Sequence, residues 1–279
     1  MIRTATYKDI PALRKLFSLC FTDPESWVEL YFNFRVRMRY HIVYELDGAI
    51  VSMAALYPCR IFLDGKYYPL LYLYAGATHP DHRGHGYYSE LLDEAMKRSV
   101  AGGGVGVALM PGETSLYAYY AAQGYRSVFR VDERELPPPP PGDMYSLSPA
   151  GAGEILSLRD ARFHGPGYVA WNEENIDFTL RCARYGGGNG WLLCKDGVAV
   201  GYALCFAGVT ADEIKVVELA APDETAALRS IHMQYGSCRY LLRQPPGASP
   251  EFRRYGCARF AQGFEPDMRT AYFNLAMAD

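Results

Sequence analysis

Short apolar runs alternate with amphipathic stretches along the N-terminal half of the chain, a pattern typical of mixed α/β proteins. Period-two alternation predicts a first strand at residues 2–6, and apolar side chains at helical spacing predict helices at 9–20 and 27–39. Strands are then predicted at 41–46, 49–57, 59–63, 67–78, 105–110 and 125–131, with helices starting near residue 87 and at 115–123.

Asp-Gly pairs separate apolar runs at residues 47–48, 64–65 and 196–197. Both residues tolerate the left-handed backbone that a two-residue hairpin turn requires, so each pair predicts a hairpin. The strand at 67–78 therefore ends an antiparallel run, after which the chain crosses over through a helix.

The second half repeats this order of elements after a run of five prolines at 137–141. A polyproline run is stiff and has no backbone donors, so it is interpreted as a linker between domains at 1–136 and 142–279. The second half is predicted to contain helices at 149–163, 172–185 and 225–235, and strands at 191–195, 198–206, 214–220, 239–243 and 272–277.

Composition narrows the classes of partner. The 279 residues carry a net charge of −3, which argues against nucleic acid. No apolar run approaches the roughly 20 residues of a membrane span, and the N-terminus lacks the apolar core of a signal peptide. The seven cysteines form no CxxC pair and fit free thiols in a reducing compartment, so a cytoplasmic location is predicted.

Residues 70–96 contain the pattern most suggestive of chemistry. An apolar strand leads into a turn with Arg83, Gly84 and Gly86, and a helix then begins near Tyr87. The first N–H groups of a helix have no intrahelical acceptor and its dipole favours negative charge, so this arrangement predicts an anion site. Glycines let the main chain approach a phosphate, and an arginine supplies a fork of donors.

Other interpretations of this turn are weaker. No Lys-Ser or Lys-Thr follows the glycines, which excludes a Walker-type loop, and the third glycine of the dinucleotide fingerprint is missing near Ser89. His79, His82 and His85 invite a metal site, but their three-residue spacing would need a helix, whereas proline and glycines predict a turn. No metal is therefore expected, and these histidines are expected to flank the anion.

The sequence 83–88 (Arg-Gly-His-Gly-Tyr-Tyr) resembles the acetyl-CoA pyrophosphate loop of the GNAT family of N-acetyltransferases, Arg/Gln-x-x-Gly-x-Gly/Ala. Its final small position is Tyr88; a large residue also occurs there in the mycobacterial enhanced-intracellular-survival branch. Residues 120–125 resemble a second GNAT signature, Tyr-x-x-x-Gly-Phe/Tyr, and the two motifs occur in the family's order.

The resemblance implies a GNAT fold, a mixed, mostly antiparallel sheet flanked by helices, and acetyl-CoA as co-substrate. Tyr120 matches the family's general acid, since a phenol can protonate a departing thiolate. A packing tyrosine is the alternative. The cofactor-binding positions implied are Ala77, Thr78, His79, Arg83, Gly84, His85, Gly86, Tyr87, Tyr88 and Ser89, with pantetheine adding to the end of the strand.

The sequence does not identify the general base. The motif strand holds no carboxylate, and Glu113 is the nearest acid in the sequence. The mycobacterial relatives use their C-terminal carboxylate, and bulk water is a third route. Glu218, on a predicted strand of the second half, is interpreted as an edge-strand charge rather than a substrate-facing carboxylate.

The function predicted is acetyl transfer from acetyl-CoA to a primary amine, by direct attack in a ternary complex. The second half is predicted to be a degenerate GNAT-like domain, because residues 221–224 (Ala-Pro-Asp-Glu) contain neither arginine nor glycine. Two alternatives remain: a non-catalytic acyl-CoA-binding module, and an acyl or aminoacyl transferase on a double GNAT scaffold. The expected partner is a small-molecule or peptide amine, and the sequence leaves open which amine it is and whether the chain forms a homo-oligomer.

Overall fold

The structure, a computed structural model, describes residues 1–208, 210–246 and 252–273. The chain forms two compact units. The first unit consists of Met1–Ile61, Tyr67–Ser127 and Gly256–Glu265, and the second contains the rest of the described chain.

The first unit is built on a mostly antiparallel sheet. Its strand order is β1-β2-β3-β4-β5-β13, and within it β4 and β5 run parallel because helix α3 connects them. The elements up to β6, which leads into the second unit, are β1 (Ile2–Thr4), α1 (Ile10–Cys20), α2 (Glu25–Phe34), β2 (His41–Leu46), β3 (Ala49–Leu63), β4 (Lys66–Thr78), α3 (Tyr87–Ala101), β5 (Gly106–Leu109), α4 (Leu116–Ala122) and β6 (Arg126–Leu136).

Helix α3 packs its apolar face on this sheet. Leu91, Leu92 and Ala95 are completely buried, because the helix places residues three and four apart on one side. They contact apolar side chains of β2, β3, β4 and β5 in one core cluster, which also includes Tyr120 and Tyr125. This packing fixes the start of α3 against the end of β4.

The second unit contains a similar order of elements. Its strand order is β6-β12-β11-β10-β9-β7, in which β11 and β12 run parallel and are connected by helix α7. The elements are β7 (Ser146–Pro149), α5 (Ala152–Arg162), β8 (Tyr168–Ala170), α6 (Glu173–Tyr185), β9 (Asn189–Lys195), β10 (Val198–Ala207), β11 (Glu213–Ala220), α7 (Glu224–Tyr235), β12 (Arg239–Gln244) and β13 (Arg253–Phe260), whose last residues belong to the first unit.

A buried ion pair lies inside the second unit. Arg159 on α5 and Glu218 on β11 are both fully buried, and Arg159 Nε lies 2.9 Å from Glu218 Oε1. Tyr202 and Tyr272 donate hydrogen bonds to the same carboxylate. The interpretation of Glu218 as an edge-strand charge is therefore wrong: β11 is paired on both sides, and the carboxylate faces an arginine in the interior.

The predicted fold class, a mixed and mostly antiparallel α/β arrangement, is confirmed. Several elements differ from the sequence predictions. The strand β3 is continuous through Pro58, α2 ends at Phe34, and β13 was not predicted at all. Of the strand predicted at 272–277, Tyr272 forms an isolated bridge with Tyr168, and the positions after 273 lie outside the described residues.

The compact units also divide the chain differently from the predicted domains. Apart from the turn at residues 62–66, the chain enters the second unit at Val128, so the proline run at 137–141 lies inside that unit. Residues 256–265 return to the first unit because β13 pairs antiparallel with β5, placing Cys257 opposite Leu109. Among the described residues, no helix is long and apolar enough to cross a membrane.

Candidate functional site

A cleft of about 790 Å³ opens in the first unit where β4 ends and α3 begins. The loop after α1 and the start of α4 complete its walls. Most of the predicted site residues line this cleft: Ala77, Thr78, Arg83, Gly84, Gly86, Tyr87, Tyr88, Ser89 and Tyr120. His79 and His85 belong to the same loop but do not line it, whereas His82 does.

The loop between β4 and α3 leaves the helix N-terminus open. Gly84 and Gly86 have φ values of +80° and +83°, a left-handed backbone that glycine adopts without strain. Gly86 is the N-cap residue, and it has no side chain to accept a hydrogen bond from the first turn of α3. The first N–H groups of α3 therefore face the cleft region without an intrahelical acceptor, and the helix dipole adds positive potential there.

Arg83 is exposed beside this helix start. Its Nε donates a hydrogen bond to the Thr78 carbonyl oxygen at 3.3 Å, which ties the guanidinium to the end of β4. The remaining N–H groups of the fork can still point to an anion in the cleft. Arginine, open N–H groups and dipole together form a site suited to a phosphate or diphosphate.

The end of β4 is distorted and held from two sides. Ala75 has a φ of +51°, an unfavourable backbone conformation for a residue other than glycine inside a strand. Ser52 Oγ on β3 donates to the Ala77 carbonyl oxygen at 2.9 Å and shares a hydrogen bond with Thr78 Oγ1. The Cys20 thiol donates to the Thr78 carbonyl oxygen. These contacts fix the strand end at the cleft wall.

Tyr120 lies on α4 with only 7% of its surface exposed. Its hydroxyl is 3.1 Å from Tyr88 Oη, on the first turn of α3. Burial raises the pKa of Tyr120 to about 12, and the hydrogen bond with Tyr88 opposes this rise. Tyr120 therefore keeps its proton near neutral pH, as a general acid must.

Two carboxylates line the cleft. Glu113 follows β5 and accepts a hydrogen bond from Ser115 Oγ at 3.2 Å. Asp23 lies in the loop between α1 and α2, and sequence reasoning missed it because nothing local marks that loop. The Asp23 side chain is exposed to solvent at the cleft, yet the surrounding walls partly desolvate its carboxylate and raise its pKa. A raised pKa is what a carboxylate inside an open cleft should show.

The three histidines of the loop make local contacts, and the His82 ring lies edge to face on His79 with centroids 5.6 Å apart. The Asp81 N–H donates to His79 Nδ1, His85 Nδ1 lies 3.0 Å from the Arg83 carbonyl oxygen, and the His85 ring stacks on Tyr87. Within the described ranges, no group of three or more histidine, cysteine or acidic side chains is placed to hold a metal ion.

The equivalent helix start in the second unit is closed. Only residues 221–223 separate β11 from α7, and Asp223 is the N-cap residue. Its side chain accepts a hydrogen bond from the Ala226 N–H at 3.0 Å. The carboxylate therefore occupies the place where an external anion would bind.

Comparisons with known proteins agree with this architecture. Residues 1–128 match the family described as acetyltransferase (GNAT) domain. A search of curated proteins found no match. This match confirms the resemblance identified from the two sequence motifs, both of which lie within residues 1–128.

Solved structures extend the similarity of fold over most of the chain. A conserved protein from Enterococcus faecalis, described as "Probable N-Acyltransferase", has a TM-score of 0.76 at 17% identity, covering 93% of this chain and 72% of its own. A GCN5-related N-acetyltransferase from Anabaena variabilis has the same TM-score and coverage at 15% identity. Eis1 from Mycobacterium abscessus has a TM-score of 0.69 at 14% identity, covering 93% and 73%.

Proposed function

We propose that this protein transfers an acetyl group from acetyl-CoA to a primary amine by direct attack in a ternary complex. The observation that carries the proposal is the pairing, in one cleft, of an open helix N-terminus with a buried phenol that retains its proton. A site of this kind can hold a diphosphate at one end and protonate a leaving thiolate at the other.

The cofactor would bind along the loop and the strand end. The diphosphate would lie on the first N–H groups of α3, out to Ser89, with Arg83, Gly84 and Gly86 around it. The pantetheine would add to β4 at residues 77–79, as a peptide adds to a sheet edge. A main-chain N–H near Thr78 would donate to the thioester carbonyl oxygen and stabilise the negative charge that develops there.

The acceptor would enter beside the carboxylates that line the cleft. Asp23 and Glu113 would attract a protonated amine, and either could take up its proton before attack. The raised pKa of Asp23 brings that carboxylate closer to the pH at which a base is most effective. Residues 1–136 would supply this catalysis, residues 142–279 would form an accessory domain, and the cytoplasm is the proposed location.

The test is a turnover screen of acetyl-CoA against a panel of amines, with thiol release as the readout. An acceptor found in this way then allows Tyr120→Phe to be assayed at saturating acetyl-CoA. We expect kcat to fall roughly 10²-fold, the usual worth of general acid catalysis, with acetyl-CoA affinity unchanged. Tyr117→Phe, a neighbour on α4 that packs against the core, is the control and should keep the parent rate.

Each alternative function has its own outcome. Tight acetyl-CoA binding without turnover of any amine would indicate a non-catalytic acyl-CoA-binding module. A mass gain other than acetyl on an acceptor would indicate a different acyl or aminoacyl transferase. A parent rate in Tyr120→Phe would make Tyr120 a packing residue and contradict the proposed acid.

A further inference from the structure

Two phenols from different helices meet in the cleft. Tyr88 lies on the first turn of α3 and Tyr120 on α4, and their hydroxyl oxygens are 3.1 Å apart. The rings cross at 70° with centroids 6.5 Å apart, so the contact is made edge to face, with the hydroxyl groups turned toward each other. Both side chains line the cleft.

The space for Tyr88 exists because residue 76 on β4 is glycine. A Cβ atom at that position would lie 2.0 Å from Tyr88 Oη and 2.5 Å from its Cζ, far inside contact distance. The Tyr88 hydroxyl therefore lies directly against the β4 main chain, one residue after the left-handed Ala75 and two before Thr78. This is the part of the strand along which the thioester would lie.

A second contact also holds the Tyr88 ring. Tyr119 stacks on it with centroids 6.2 Å apart and planes within 16°, and Tyr119 Oη in turn lies 3.2 Å from Ser89 Oγ. A side chain clamped between a stacked ring and a main chain keeps a single direction for its hydroxyl group. In this orientation the Tyr88 hydroxyl group lies within hydrogen-bond distance of Tyr120 Oη.

We propose that Tyr88 is a positioning residue for the transfer reaction: its hydroxyl donates a hydrogen bond to Tyr120 Oη, which directs the Tyr120 proton to the leaving sulfur and holds the phenolate that forms. This inference rests on the proposed function, in which Tyr120 is the general acid. Because Tyr88 is the donor of this hydrogen bond, the Tyr120 proton is not engaged with Tyr88 and stays available to the substrate.

Atoms and electrons balance in this step. The amine lone pair forms the C–N bond, and the C–S bond breaks with its electron pair on sulfur. The Tyr120 proton passes to that sulfur, giving the free thiol, while the attacking nitrogen releases its extra proton through the base or solvent, from which Tyr120 is restored. During this interval the Tyr120 oxygen is negative, and a hydrogen bond to a charged acceptor is stronger than one to the neutral phenol. Tyr88 thus contributes mainly after proton transfer has begun.

A double-mutant cycle tests this role. Tyr88→Phe keeps the ring, and hence the stacking, and removes only the donor. We expect kcat to fall about tenfold, with acetyl-CoA affinity, the KM for the amine and the melting temperature unchanged. In the Tyr120→Phe background, Tyr88→Phe should cause no further loss, since the group on which it acts is gone.

Tyr125→Phe is the matched control. Its ring packs edge to face on Tyr120 with centroids 5.8 Å apart, but within the described residues its buried hydroxyl has no hydrogen-bond partner. Removing that hydroxyl should leave kcat at the parent value. The control therefore separates the hydrogen bond of Tyr88 from the general effect of deleting a phenol oxygen beside Tyr120.

The outcomes distinguish this inference from the proposed function. A parent rate in Tyr88→Phe, an equal loss in both backgrounds, or a loss confined to acetyl-CoA affinity would overturn the role of Tyr88 and leave Tyr120 as the acid. A parent rate in Tyr120→Phe would instead contradict the proposed acid itself, whatever Tyr88→Phe does.

Discussion

The two units each contain a strand–helix–strand crossover, and the two differ in whether a side chain caps the helix start. In the first unit, β4, α3 and β5 form the crossover; in the second, β11, α7 and β12 do. Both leading strands are irregular three residues before they end. Ala75 has a left-handed backbone in β4, and Val217 is the extra residue of a bulge in β11, where pairing passes from Leu204–Glu218 to Cys205–Val216.

The difference lies in the connection between the strand and the helix. The first crossover has the long loop 79–86 with two left-handed glycines and no capping side chain, whereas the second has three residues and the capping carboxylate of Asp223. The first crossover borders a cleft of about 790 Å³, whereas the end of β11 borders a smaller cavity of about 330 Å³ and Glu218 on the same strand contacts Arg159 in the interior. The same topology therefore offers an anion site only where the chain does not provide its own anion.

The largest expected effect is the loss of stability when the buried ion pair of the second unit is broken. Glu218→Gln would leave the Arg159 guanidinium charged and without its counter-ion in the interior. Removing one partner of a buried ion pair typically costs about 3–5 kcal/mol of stability. Urea unfolding should detect this loss as a lower midpoint. The pair replacement Arg159→Met with Glu218→Leu should lose less than Glu218→Gln alone; an equal loss would mean that packing, not charge, is responsible.

The next effect concerns the open crossover. Arg83→Ala should weaken acetyl-CoA binding by about 1.5–3 kcal/mol, because a charge-assisted contact to the diphosphate is lost. Gly86→Val should weaken it as well, since valine does not adopt the positive φ that the loop requires. Calorimetry measures both affinities. Lys97→Ala removes a charge from the exposed face of the same helix and should bind acetyl-CoA like the parent.

The smallest effect is the loss of the cap in the second unit. Asp223→Ala should destabilise the protein by about 1 kcal/mol, because the Ala226 N–H loses its acceptor. Thermal unfolding measures the change, and Asp223→Asn, which can still cap, should recover most of it.

Asp223→Ala also tests whether the cap alone prevents the second crossover from binding acetyl-CoA. Even with Asp223 removed, the second crossover has neither arginine nor glycine in residues 221–224, so we expect one acetyl-CoA per chain before and after the substitution. A stoichiometry near two in the parent would show that the second crossover is not closed to the cofactor.

Local patterns predicted a large part of the first unit. Helix α3 begins at Tyr87 as expected, because the preceding glycines and the apolar spacing within α3 mark its start and face. The three Asp-Gly pairs do form turns: Asp47, Asp64 and Asp196 have φ near +50° and the glycines after them φ near +80°. Strand β13 escaped prediction because its partner, β5, is far away in sequence and its own alternation is weak.

For the candidate site as well, the sequence predicted some of the residues and not others. Four residues could be named from their spacing and family resemblance, and the structure brings them to one cleft: Arg83, Gly84, Gly86 and Tyr120. Asp23 and the contact between Tyr88 and Tyr120 could not be named, because neither has a local signal. Gly76, which makes room for Tyr88, looked like an ordinary strand residue.

The sequence by itself determined the turns, the open helix start of α3 and the resemblance of residues 1–128 to the GNAT family, since these depend on backbone preferences and spacing over a few residues. Tertiary structure alone decided which helix start has no capping side chain, which carboxylate is buried with an arginine, and which phenol contacts Tyr120. Those outcomes depend on pairs such as Arg159 with Glu218 and Tyr88 with Tyr120, which are 59 and 32 positions apart. Only the packing of the folded chain brings such pairs within hydrogen-bond distance.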